Sequence, residues 1–177
     1  MIYKATNLIM ETFDLHNVKY RVNETEDASV VEAGFIIEAG PQATVHFIST
    51  SENNDVTIRI FGLIYQIPAD RRGEILDACN TLNAKYRFIK FFLDTDSNVN
   101  VQADLPVRTD DECLGECCFE LFARIMHMLR DDYHVLAEAL YRVPCSEKKD
   151  SAEFLKALLN LKEKPLIVGN EDASSKG

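Results

Sequence analysis

Positive charge is what this sequence most lacks. Nineteen Lys and Arg residues stand against 29 Asp and Glu, for a formal charge of -10. A nucleic-acid duplex is itself a dense line of negative charge, and affinity for it comes mainly from Lys and Arg releasing its counterions. The only adjacent basic pairs are Arg71-Arg72, which follows Asp70, and Lys148-Lys149, which sits between Glu147 and Asp150. Nucleic acid and anionic membrane are therefore not expected partners.

Long apolar runs are missing too. No stretch of about 18 apolar residues occurs, and the start, Met1 to Asn7, has neither a basic segment nor an apolar one of signal-peptide form. The five cysteines (Cys79, Cys113, Cys117, Cys118 and Cys145) are odd in number and unevenly spaced, unlike a secreted disulfide framework. The expected location is the cytoplasm, with reduced thiols. Glycine is sparse, and Gly34, Gly40 and Gly62 form no phosphate loop. Neither G-x-G-x-x-G, G-x-x-x-x-G-K, G-x-S-x-G nor H-E-x-x-H occurs. The expectation is a protein with no catalytic site, cofactor or metal. Tryptophan is absent as well, which decides nothing.

What is present is ordinary globular material: 46% hydrophobic and 27% charged residues in 177, enough to bury a core without a metal or disulfide. Leu8, Ile9 and Phe13 recur at helical spacing. Four strand-like runs follow: Val18 to Val22; then Val31, Ala33, Phe35 and Ile37 on one face; then Val45 and Phe47 against Thr44 and His46; then Val56, Ile58 and Ile60 against Thr57 and Arg59. After Pro68, Ile75, Leu76, Cys79 and Leu82 give a second helix. A fifth run, Phe88 to Leu93, turns through residues 94–98 into a sixth with Val99, Val101, Ala103 and Leu105 on one face.

Thr109 and Glu112 have the form of a capping box, two side chains satisfying each other's unpaired amides at a helix start. The helix behind it carries a stripe of Leu114, Cys118, Leu121, Phe122, Ile125, Met128 and Leu129 that continues through Leu136 and Leu140 to Pro144, with Asp131-Asp132 as a candidate break. A last helix, about 152–162, has Phe154, Leu155, Leu158 and Leu159 on one side. The order α-ββββ-α-ββ-α-α predicts an α+β fold, an antiparallel meander sheet of about six strands with helices packed on it. We expect one domain over 1–163 and a flexible tail over 164–177.

Three constellations could carry chemistry. Asp94, Asp96, Asn98 and Asn100 alternate as the first ligands of a calcium loop do, but Val99 stands where that loop needs glycine and Leu105 where it needs a bidentate Glu. A hairpin turn of Asx residues is the expected reading. Cys113, Cys117 and Cys118 gather at the start of the long helix without a second ligand pair for zinc. Inert, buried or half-buried thiols are expected, with a thiol redox or small-molecule sensor as the alternative. His127 and His134, two helical turns apart, read as surface or rim residues.

Asn80-Thr81-Leu82-Asn83, Arg87-Phe88, Asp94 and Asp96 in the turn, and Ala103-Asp104-Leu105-Pro106 carry a resemblance. The stretch from Ala69 to Val107 resembles the core of the YbjN family, bacterial domains assigned to sensory transduction regulation with a fold similar to type III secretion chaperones. Ser97 stands where that family often has a glycine. By order of elements the resemblance reaches residues 1 to about 142, leaving an extra helix at about 150–163. It implies a regulatory adaptor or chaperone-like role and supplies no active-site residues.

The expected function is thus non-enzymatic protein binding, to another polypeptide or to a second copy in a homodimer. The fifth run offers the candidate surface. Ile89, Phe91 and Leu93 belong to the core, while Phe88 and Phe92, with Lys90 between them, face the other way as a partner or dimer surface.

Overall fold

The computed structural model describes residues 2–38, 40–50, 56–105 and 112–141. Thr109 of the expected capping box, Cys145, the helix expected at 152–162 and the tail all lie outside the described residues.

The chain opens with α1 (Lys4–Leu15), followed by β1 (Tyr20–Glu24), β2 (Ala28–Ile36), β3 (Gln42–Thr50) and β4 (Val56–Ile64). A 3₁₀ turn (Ala69–Arg71) leads into α2 (Arg72–Lys85), then β5 (Lys90–Leu93), β6 (Val99–Leu105) and α3 (Leu114–Tyr141). All six strands join one antiparallel sheet in the order β1-β2-β3-β4-β6-β5. The first four form the expected meander. The α2 crossover then carries the chain past one strand position, and β6 folds back into the gap, which leaves β5 at the edge.

One sheet face makes the core because alternate residues point to it. Val31, Ala33, Val45, Phe47, Ile58, Val99 and Val101 are buried there together with Ile9 and Phe13 of α1, Ile75 and Leu82 of α2, and Leu114, Phe122 and Ile125 of α3. Phe13 sits at the centre, with ring centroids 5.3 Å from Phe47 and 5.7 Å from Phe122. Leu76, expected on the buried side of α2, faces solvent instead. It follows Ile75 directly and so points about 100° away around the helix.

The α1–α3 crossing depends on Gly115. A Cβ there would lie 2.1 Å from Thr12 Oγ1 and 2.5 Å from the Leu8 carbonyl oxygen. Beside it, the His16 ring stacks on Phe119 with centroids 3.7 Å apart. The opposite sheet face carries an in-register row, Arg21, Glu32, His46, Arg59, Gln102 and Lys90, and none of the three helices covers it. Ile36 and Phe61 are exposed on this side.

Candidate functional site

The site is built where α2 ends. The helix stops at Lys85, residues 87–88 bend, and the strand begins only at Lys90. The sequence pattern predicts Phe88 as the strand's first residue; the bend takes it out of the alternation. Ile89 and Phe91 are buried as expected, at 4% and 2% exposure, whereas Phe88 is 64% exposed and Phe92 37%. The two exposed rings have different surroundings. Phe92 pairs opposite Asn100 at the edge of the uncovered sheet face, and Phe88 turns to the side of α3.

There it borders a groove of about 480 Å³ between the α2–β5 junction and the middle of α3. The lining includes Ile89, Leu121 and Met128, all nearly fully buried, which form an apolar floor. Lys85, Arg87, Arg124, His127 and Asp131 stand around it. The Arg87 guanidinium lies 5.3 Å from the centroid of the Phe88 ring. Of the basic groups, Lys85 is paired with Asp132 at 2.5 Å and Arg124 lies 3.9 Å from Glu120. Of the histidines read as rim residues, His127 borders this groove and His134 is half-buried on α3.

The wall formed by α2 is locked to α3 through Asp132. Its Oδ2 accepts a bond from Lys85 Nζ at 2.5 Å and another from the Tyr86 hydroxyl. Burial alone would raise the Asp132 pKa; the bonds from Lys85 and Tyr86 and the Lys85 charge outweigh it and hold the carboxyl below its ordinary value. The same contact raises the pKa of Lys85, mainly through its bond to Asp132. The helix α3 runs as the continuing stripe predicts, unbroken through the candidate break at Asp131-Asp132. An acidic residue in a helical stripe reads as a breaker only when its tertiary partner is unknown.

Lys90, expected as a polar rim residue, donates from Nζ to the carbonyls of Asn83 at 3.1 Å and Tyr86 at 3.0 Å. It thereby caps the negative end of α2. Asn83 does for β5 what a further strand would do: its Nδ2 donates to the Phe91 carbonyl at 2.9 Å, and the Phe91 amide donates to its Oδ1 at 2.7 Å. The sheet edge is closed at that residue, so a partner there meets side chains and not an open strand.

The Asx constellation is absorbed by the fold. Asp94 accepts from the Asn98 amide at 2.8 Å and from Asn100 Nδ2 at 2.7 Å, and these bonds, the Asn98 amide first, lower its pKa. Asn98 Oδ1 accepts from the Gln66 amide and Asn100 Oδ1 from the Gly62 amide, tying the hairpin to β4 where Gly62, at φ +59°, makes a bulge. Ser97 adopts a φ of 63°, the left-handed conformation that glycine takes most easily. Among the described residues no group of three or more His, Cys, Asp or Glu could hold a metal ion.

The cysteine cluster is divided by burial. Cys118 is fully buried and its thiol is pushed up to about 12, first by burial and then by Cys117. Cys79 is pushed up to about 11 by burial. Cys117 is half-buried, and Cys113 is exposed where a buried or half-buried thiol was expected. It precedes the first turn of α3 and so escapes the stripe on which Cys118 lies.

The described residues form an α+β fold, a six-stranded antiparallel sheet with three α-helices. The chain belongs to the YbjN family, described as "Putative bacterial sensory transduction regulator", whose family model matches residues 7–138. Among solved structures, the crystal structure of YbjN from E. coli is similar at 14% identity and a TM-score of 0.47, covering 77% of this chain and 92% of that one. No curated protein matches the sequence. Among the described residues no helix is long and apolar enough to cross a membrane.

Proposed function

We propose that this protein is a non-enzymatic regulator that acts in the cytoplasm by binding another polypeptide, a second copy of itself among the possible partners, in the groove beside Phe88. The observation that carries the reading is the pairing of a buried apolar floor with Arg87 and Arg124 at its rim on a strongly acidic chain. The occupant that fits has one or two apolar anchors flanked by carboxylates. Anchors would displace water from Ile89, Leu121 and Met128, and the carboxylates would meet the rim.

The test is fluorescence anisotropy with a labelled peptide carrying Phe and Leu flanked by Asp and Glu, against its charge-reversed counterpart. The acidic peptide should bind, more weakly as salt rises. Phe88→Ser and Arg124→Glu should abolish binding and leave the melting temperature nearly unchanged, since both positions are exposed. Equal binding of the two peptides, or a large loss of stability in Phe88→Ser, would refute the groove.

A further inference from the structure

The two edges of the sheet are finished differently. At β5, Asn83 satisfies the backbone groups of Phe91 that point away from β6. The other edge is β1, and among the described residues no side chain does the same for Tyr20 or Val22. The turn after β1 fixes which of its backbone groups face outward. The Thr25 amide donates to the Ala28 carbonyl at 2.8 Å, so Thr25 and, in steps of two, Asn23 and Arg21 bond to β2, while Tyr20 and Val22 turn their amides and carbonyls away from it. The register from Tyr20 to Glu24 is unbroken. Neither a bulge nor a proline blunts this edge, the devices by which sheets commonly avoid pairing with one another.

Charge is sorted by sign along the strand. Lys19 and Arg21 stand at its start and Glu26 and Asp27 just past its end, all exposed, and none of these four side chains is in an ion pair among the described residues. Two other acids lie near the basic end and are engaged elsewhere. Glu32, across from Arg21, is 3.6 Å from His46 Nε2, and Asp14 accepts a bond from the Tyr20 hydroxyl on the helix side. Charges of one sign along an edge would repel a second copy; charges sorted to opposite ends attract a copy that runs antiparallel.

We propose that β1 is a self-association surface, on which two copies of this chain pair β1 against β1 antiparallel about a two-fold axis at Val22 and join their sheets into one. Val22 then exchanges main-chain bonds with Val22 of the second copy, and the basic start of each strand meets the acidic end of the other. The axis is normal to the sheet, so the helices of both copies stay on one side and the interface is isologous and closed. Half-buried Val22, which packs against the core, gains an apolar neighbour. This surface lies at the opposite edge of the sheet from the groove beside Phe88 and does not depend on the reading of that groove.

Sedimentation velocity of the full chain over a range of concentrations tests this. The unaltered protein should pass from the monomer to twice its mass as concentration rises, and added salt should oppose the passage. In Val22→Pro the ring replaces an amide that points outward, a change an edge strand accepts. The melting temperature of the monomer should stay nearly unchanged while the dimer dissociation constant rises at least about tenfold. Charge variants decide the matter even where that proline unfolds the chain. Lys19→Glu with Arg21→Glu, and separately Glu26→Lys with Asp27→Lys, should each be monomeric, and an equimolar mixture of the two should recover the dimer because each end again meets its opposite. A chain that stays monomeric at every concentration overturns the proposal, as does a mixture that recovers nothing. A dimer that these variants leave intact and Phe88→Ser abolishes also overturns it, and assigns the second copy to the groove.

Discussion

Asp132 shows how one residue can carry opposite meanings in one and three dimensions. Its carboxylate sits largely out of solvent between Lys85 and Tyr86, and its folded-state pKa lies below the ordinary value. The folded protein therefore holds that proton less well than the unfolded chain. The stabilisation is complete above the unfolded carboxyl pKa of about 4 and is lost as pH falls through the lower folded value. Asp132→Asn is expected to cost about 1–3 kcal/mol at neutral pH, measured by urea denaturation. The difference from wild type should shrink below about pH 4; a difference as large at pH 3 as at pH 7 would contradict the assignment. Among the thiols, Cys79 and Cys118 should be modified by a disulfide reagent only at the rate of unfolding, because burial disfavours their thiolates. Peptide mapping of the labelled native protein checks this.

At the scale of elements, two contacts decide how helices meet the sheet. Gly115→Ala gains helix propensity of up to about 1 kcal/mol, yet its Cβ would meet the Leu8 backbone as well as Thr12. Trimming Thr12 cannot relieve the former. The variant should be less stable by about 1–3 kcal/mol, and a rise in melting temperature would show that α1 and α3 have room to separate. Asn83→Ala removes the side chain that satisfies both backbone groups of Phe91. Two consequences are expected: a loss of about 1–3 kcal/mol, and concentration-dependent association through the uncapped edge of β5, visible in light scattering. Asn83 was legible in the sequence as part of Asn80-Thr81-Leu82-Asn83; its role was not, since its partner lies on a different element.

At the scale of the whole molecule, the described residues present an open sheet face and the groove beside α3, and the two differ in chemistry. The open face presents a row of polar and charged side chains, Arg21, Glu32, His46, Arg59, Gln102 and Lys90, in register across all six strands. The groove presents apolar floor and cations. Phe88 and Phe92, expected as one patch, are divided between these surfaces because β5 begins two residues later than its apolar run. Phe88→Ser should therefore impair peptide binding and Phe92→Ser should not, with both near wild-type stability.

Local pattern was sufficient for most of what depends on near neighbours, Leu76 and Phe88 excepted. Period-two runs fixed which residues of β2, β3, β4 and β6 face the core, and the helical stripe fixed the buried side of α3, because side-chain direction follows backbone period. The turn at Asp94 to Asn98 was legible for the same reason. Tertiary structure alone decided the rest: that β6 lies between β4 and β5, that Asp132 ties α3 to the end of α2, that Lys90 caps α2, and that Arg87 and Arg124 meet at one groove. Apart from the Lys90 cap, which spans four to seven residues, each of these joins residues distant in the chain, and the free energy that selects them comes from burial and desolvation of groups that no sequence window holds together.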